Sequence, residues 1–200
     1  VLGRDGVLAG RKIVVSAGGT REAIDPVRYI SNDSSGKMGY AIAEAARDRG
    51  AATVVVAAPN SLPDLVGIEL VRVVTAQEMR DAVAKHCRDA DAVIMAAAVA
   101  DWRPESAAAQ KLKKGEKKRW TLELTRTADI LSELQGKSLI KVGFAAESED
   151  LEANARAKLE SKGLDLIAAN DITAEGSGFG SDTNRVLLLD RNGGEEQLPG

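Results

Sequence analysis

The chain is poor in the residues that most often announce a function. Of its 200 residues, one is a cysteine and one a histidine. The lone cysteine, Cys87, closes no internal disulfide and forms no C-x-x-C pair, and such sparing use fits a reducing compartment. The lone histidine, His86, leaves neither a histidine-based metal site nor a Ser-His-Asp triad to assemble, so both residues are assigned to structure. Aromatics make up 3% of the chain, and the two tryptophans are too few and too scattered for a base-stacking platform. No apolar run approaches the roughly 18 residues of a membrane span, so no membrane partner is expected. A balance of 27 Lys and Arg against 30 Asp and Glu lacks the basic excess of a general nucleic-acid binder, and a cytoplasmic protein without a nucleic-acid partner is expected. Two glycine fingerprints are missing as well: neither G-x-G-x-x-G nor G-x-x-x-x-G-K-[ST] occurs.

What is present reads as one packed domain. The hydrophobic fraction of 44% is ordinary, and with aromatics so scarce Ala, Val, Leu and Ile must fill the core. Apolar runs at 12–16, 53–58, 69–74, 92–98, 139–145, 164–169 and 185–190 predict strands. Between them, 38–49, 76–89 and 151–162 carry helical spacing; Met79, Val83 and Cys87 share one face. Strand–helix alternation with near-continuous apolar strands predicts an α/β fold, a doubly wound and mostly parallel Rossmann-like sheet covered on both faces. Residues 105–121 break the alternation and predict a lysine-rich flap, a loop or hairpin. Asn192, Gly193 and Gly194 predict a hairpin turn. Residues 1–10 read as a linker from an upstream domain and 11–200 as the domain itself, cut at its C-terminus.

Ligands of such sheets bind beyond the carboxyl ends of the strands, and the polar clusters of this chain fall there. The richest is SAGGTREAIDPVRYISNDSSGKMG, between the first strand and the first helix. Its glycines let backbone N–H groups approach an anion, the helix start adds partial positive charge, and Arg21, Arg28 and Lys37 add full charges. A plainer reading is a helix start capped by serine or asparagine. Asp101, just past the fourth strand, suits a hydrated Mg²⁺ or a nucleotide hydroxyl, or equally a turn cap. Lys111, Lys113 and Lys114 suit either a solvated face or a flap closing over a polyphosphate. Lys158 and Lys162 share a helical face near Asp150, Glu152 and Glu160, which by themselves point to surface ion pairs.

Taken together, SAGGTRE, IDPVRYISNDSSGKMG, AAAVADWRP, KLKK, GFAAES, ANDI and FGSDTNRV resemble the phosphopantothenate–cysteine ligase family, the synthetase half of the bifunctional bacterial proteins of coenzyme A biosynthesis. The matches are ordered and run from about residue 11 to 190. The resemblance implies a homodimer that uses CTP with Mg²⁺. It joins 4′-phosphopantothenate to L-cysteine through an acyl-cytidylate, releasing pyrophosphate and CMP. It also implies an upstream flavin-dependent decarboxylase in the full-length protein, and no flavin in this domain. Motif by motif, nucleotide contacts fall on Met95, Ala96, Ala97, Asp101, Lys111, Ala128, Asp129, Ile130, Leu131, Phe144, Lys158 and Lys162. Asp101 is also the expected metal ligand. Asn32 and Lys111 are the expected catalytic residues, and Arg28 with Asn32 the expected substrate contacts. The chain departs from the family pattern at Gly19, where a proline is usual, and at Thr127-Ala128, where asparagine-proline is usual. On the residues alone, the rival readings are a nicotinamide- or flavin-binding oxidoreductase domain and a non-catalytic nucleotide-sensing domain.

Overall fold

A computed structural model of the protein describes residues 5–115, 118–136, 138–147, 149–171 and 185–198. Within them the chain forms β1 (Lys12–Ala17), β2 (Arg21–Asp25), β3 (Arg28–Ser31), α1 (Lys37–Asp48), β4 (Ala52–Ala57), β5 (Glu69–Arg72) and α2 (Ala76–His86). It continues with β6 (Ala92–Met95), β7 (Trp102–Pro104), β8 (Leu124–Arg126), α3 (Ile130–Glu133), β9 (Ile140–Glu147), α4 (Leu151–Ser161), β10 (Leu166–Asp171), β11 (Val186–Asp190) and β12 (Glu195–Leu198). From the motifs above, residues 179–184, Ser148 and Ile172 lie outside the described residues, as do Glu116 and Lys117 of the lysine-rich segment.

Eight strands form one sheet in the order β12-β11-β10-β9-β6-β1-β4-β5. The pairings from β5 across to β10 are all parallel, and β11 and β12, joined by the turn at Asn192 and Gly193, close the sheet as an antiparallel hairpin. The expected α/β, mostly parallel, doubly wound architecture is what is found. Alternation along β1 explains the two layers: Ile13, Val15 and Ala17 pack with Tyr40 and Ala43 of α1, while Val14 joins Met79 and Val83 of α2 and Leu159 of α4 on the other face. Aliphatic side chains do the packing, as the shortage of aromatics requires; Val14, Val15, Val55, Val56, Val83 and Val93 are among the fully buried side chains.

The elements differ from the expected ones at three places, each with a physical cause. β6 stops at Met95 instead of running to residue 98, because the end of β1 and the loop after it take the next donors: Ala97 N–H donates to Ser16 Oγ (3.1 Å) and Ala98 N–H to Gly18 O (2.9 Å). The loop after β1 contains a hairpin, β2–β3, that the apolar pattern conceals. Its inward positions include Glu22 and Asp25, each 3% exposed. The flap springs from a second hairpin, β7–β8, whose strands are three residues each. At the amino-terminal side, Leu8 packs against the α1 face and its N–H donates to Arg49 O (2.9 Å), so the segment before β1 lies on the domain.

Candidate functional site

At the carboxyl ends of β1, β6, β9 and β10 the polypeptide encloses a cavity of about 980 Å³. One wall is made mainly of backbone. Gly18 (φ 81°) turns the chain out of β1, and a Cβ there would meet Ala58 O at 2.7 Å. Gly36 (φ 79°) is the N-cap of α1 and has no side chain to cap it. The plainer reading holds in one contact, a long one: Ser35 Oγ accepts from Lys37 N–H (3.4 Å) at the first residue of α1. Met38 and Gly39, in the first turn, line the cavity with Ser34, Ser35 and Lys37. Gly39 lets α1 descend onto β1: a Cβ would stand 2.6 Å from Ala17 Cβ and 2.8 Å from Ser16 O.

Hydrogen bonds stitch this wall to the loop after β6. Thr20, fully buried, accepts from Ala100 N–H at Oγ1 (3.0 Å). Asn32 Nδ2 donates to Val99 O (3.2 Å), which orients the side chain on the rim. Ser31 Oγ donates to Thr20 O (2.7 Å). Both departures from the family pattern sit in this stitching. At Gly19, which bridges Ala98, a Cβ would meet Asn32 O at 2.6 Å. Thr127 donates its hydroxyl to Ala100 O (2.6 Å) and its N–H to Asp101 O (2.9 Å).

The opposite wall is charged. Lys158 in the last turn of α4 and Lys162 at its C-cap line the cavity, but not with the intrahelical partners their spacing suggests. Lys158 Nζ lies 2.5 Å from Glu147 Oε1 at the end of β9, and Lys162 Nζ lies 3.2 Å from Asp129 Oδ2. Glu152 is taken by Arg156 (2.9 Å). Asp129 also caps α3 by accepting from Ser132 N–H (3.3 Å). Burial pushes its carboxyl up, yet the charge and hydrogen bond of Lys162, with the Ser132 bond, outweigh it and hold the group below the usual carboxylate range. Phe144 and Ala146 of β9, Asn170 of β10, Val186 of β11 and Leu198 of β12 complete this side.

Of the residues expected at a site, Asn32, Met95, Ala96, Ala97, Asp101, Ala128, Asp129, Ile130, Leu131, Phe144, Lys158 and Lys162 share this single cavity. Arg28 and Lys111 are not on its wall. Arg28 is instead paired with Asp25 on the β2–β3 hairpin (2.5 Å), and Lys111 is exposed on the flap beside it. Lys37, expected as a charge of the anion-binding loop, is on the wall; Glu147, Gly39 and Asn170 join the site without having been singled out, although each lay inside a quoted motif. As for a metal, no cluster of three His, Cys, Asp or Glu side chains among the described residues is arranged to hold an ion. Asp101 is an exposed cavity carboxylate, whereas Asp129 is engaged with Lys162. That suits Mg²⁺ carried in on phosphates, an ion that keeps its waters and takes one or two carboxylates.

Fold and cavity together define a doubly wound α/β domain with a cavity of mixed backbone and cationic walls at the carboxyl edge of its sheet. The chain belongs to the family described as the DNA/pantothenate metabolism flavoprotein C-terminal domain, whose model matches residues 8–200. It is 49% identical over 195 residues to the coenzyme A biosynthesis bifunctional protein CoaBC of Bacillus subtilis (strain 168), covering 96% of this chain and 48% of that protein. The chain thus spans about half the length of the curated relatives it matches. Among solved structures, the C-terminal domain of a coenzyme A biosynthesis bifunctional protein CoaBC superposes with a TM-score of 0.81 at 39% identity, covering 96% of this chain and 87% of the other. A Cab2 mutant in complex with phosphopantothenate-cysteine shares the fold, with a TM-score of 0.74 at 16% identity over 94% of this chain and 80% of that one. Among the described residues no helix is long and apolar enough to cross a membrane.

Proposed function

We propose that the chain is a phosphopantothenate–cysteine ligase that uses CTP and works in coenzyme A biosynthesis. The observation that carries this reading is the one cavity in which Asn32, Asp101, the turn at 128–131, Phe144, Lys158 and Lys162 meet. Its volume of about 980 Å³ lies at the top of the range for a single drug-sized ligand, so two reactants can lie side by side. The names of the relatives, and the phosphopantothenate-cysteine bound by the Cab2 protein, point the same way.

A carboxylate is a poor acyl donor until its oxygen is made a good leaving group. In the first step a carboxylate oxygen of 4′-phosphopantothenate attacks the α-phosphorus of CTP. An O–P bond forms, the bond from α-phosphorus to the bridging oxygen breaks, and pyrophosphate departs. In the second step the neutral amine of L-cysteine attacks the acyl carbon. The acyl C–O bond breaks, CMP leaves, and the nitrogen sheds a proton. Positioning and charge neutralisation carry most of such chemistry. Lys158 and Lys162 exchange their carboxylate partners for phosphate oxygens, and the first turn of α1 adds the partial positive charge of a helix start toward an anion. Phe144 packs by the nucleotide, and Asn32 hydrogen-bonds the acyl intermediate from the rim. Asp101 would hold Mg²⁺ together with the triphosphate, and the ion would supply charge neutralisation at the phosphate oxygens.

Lys111, off the cavity of its own chain on the pinned flap, would reach the cavity of the partner in a homodimer. Val27, Tyr29, Trp102, Leu112, Trp120 and Leu124, large apolar side chains exposed on the two hairpins and the flap, support such a dimer. In the full-length protein an upstream flavin-dependent decarboxylase precedes this domain, and the flavin belongs there. The test is to supply CTP, Mg²⁺, phosphopantothenate and cysteine and to follow pyrophosphate and CMP. Release of both in step with amide formation, fastest with CTP among the four nucleoside triphosphates, is expected. Pyrophosphate release indifferent to phosphopantothenate would overturn the reading, and binding of CTP without turnover would favour a sensing domain.

A further inference from the structure

The Asp25 carboxylate accepts more hydrogen bonds than a turn requires. Oδ1 takes the N–H groups of Val27 and Arg28 (2.9 Å each), which is enough to shape the turn between β2 and β3. Oδ2 faces elsewhere. It accepts from Arg28 Nε (3.0 Å) and Nη2 (2.5 Å), and from the N–H of Leu112 on the flap (3.0 Å). The same Arg28 Nη2 donates to Leu112 O (2.8 Å). Both backbone polar groups of Leu112 therefore end on one Asp–Arg pair. The side chain of Asp25 is fully enclosed. A second strut lies just upstream, where Ala108 N–H donates to Ile24 O (2.9 Å), and the Arg28 guanidinium lies 5.3 Å from the Trp120 ring centre on the returning arm.

Between the two pinned residues, Ala108 and Leu112, stand Ala109, Gln110 and Lys111. Lys111, Lys113 and Lys114 are all exposed and repel one another, so the flap has little cohesion of its own. We infer that Asp25 and Arg28 are positioning residues: they clamp the backbone of Leu112 and so fix where Lys111 stands for the reaction proposed above, Arg28 acting on the flap and not on the substrate. The inference rests on that reading only for the role of Lys111; the clamp itself does not depend on it. The guanidinium beside Asp25, with the N–H groups of Val27 and Leu112, holds its carboxyl well below the usual range, so the pair stays ionised at working pH.

Three variants test this. Asp25→Asn keeps the shape and loses the charge. Arg28→Lys keeps the charge and loses the planar fork. Leu112→Pro removes the flap's N–H donor and leaves the β2–β3 hairpin untouched. Two readouts are taken on the intact chain, with circular dichroism and the thermal midpoint as the check on folding. One is the rate of tryptic cleavage after Lys113 and Lys114. The other is kcat with separate KM values for CTP and phosphopantothenate. The clamp predicts cleavage faster by about tenfold in all three variants, because the flap opens without global unfolding. It predicts kcat lower by about ten- to a hundredfold with both KM values within about twofold, as for a displaced catalytic group. Unchanged cleavage and kcat in Leu112→Pro would overturn it. So would a rise in KM for phosphopantothenate alone in Arg28→Lys with unchanged cleavage, which would return Arg28 to the substrate. If Asp25→Asn fails to fold, the other two variants decide. Absence of turnover in the wild-type chain would sink the ligase reading, while the cleavage rates judge the clamp independently.

Discussion

The two walls of the cavity are built on opposite principles. The wall formed by the loops after β1 and β6 and the start of α1 is dry and fixed. Ser16 and Thr20 are fully enclosed, each hydroxyl accepts a backbone N–H from the facing loop, and glycines stand where a Cβ would strike backbone. The wall formed by α4, the end of β9 and the cap of α3 is wet and exchangeable. Lys158 and Lys162 are more than a third exposed, and each is held by a carboxylate on another element. The first wall is determined when the protein folds. The second keeps its cations in place with partners that a more highly charged anion can displace, since exposed pairs are worth only about 0–1 kcal/mol. Changes to the first wall should therefore cost stability, and changes to the second should cost binding.

The largest expected effect is at Gly39. Gly39→Val inserts a branched side chain where a Cβ alone would already stand 2.6 Å from Ala17 Cβ, and should cost about 3 kcal/mol or more in urea unfolding. Thr20→Val keeps the volume but strands the Ala100 N–H in a buried site; a loss of about 2 kcal/mol is expected by the same measurement. Lys158→Ala and Lys162→Ala should each weaken CTP binding about tenfold, roughly 1.4 kcal/mol, by calorimetry, with unfolding midpoints close to wild type. Comparable unfolding losses at the lysines and at Thr20 would erase the distinction between the walls.

The fixed wall was legible in the sequence as a place but not as a construction. The run of apolar valines in β1 and β4 and the polar clusters behind them locate the rim, because buried parallel strands are continuous and loops at their carboxyl ends are polar. The β2–β3 hairpin was hidden because Glu22 and Asp25 occupy inward positions, which inverts the pattern that announces a half-buried strand. Glu22 is there to accept the Ala76 N–H at the start of α2 (2.7 Å), a partner 54 positions away that no local pattern reveals. On the exchangeable wall, the spacing of Lys158 and Lys162 gave their common face but not their partners. Glu147 and Asp129 reach them only through the crossover from β9 to α4 and the docking of α3. The separation of Arg28 and Lys111 from the cavity was equally unreadable, since it depends on one aspartate oxygen reaching from a hairpin to a flap 87 residues later.

The smallest expected effect is a pH dependence that sets the hairpin apart from both walls. Arg28 first, then the N–H groups of Val27 and Leu112, hold the Asp25 carboxyl far below its ordinary value of 3.8 in the folded chain, against the opposing pull of burial. A group depressed in this way stabilises the fold fully above the unfolded value, and that contribution declines as pH falls through it toward the folded one. The difference in urea midpoint between wild type and Asp25→Asn should therefore be constant from neutral pH down to about pH 5 and narrow steadily below it. The midpoint of Thr20→Val, which alters no charge, should stay parallel to wild type throughout. A gap for Asp25→Asn that persists unchanged to pH 3 would mean that shape rather than charge holds the turn.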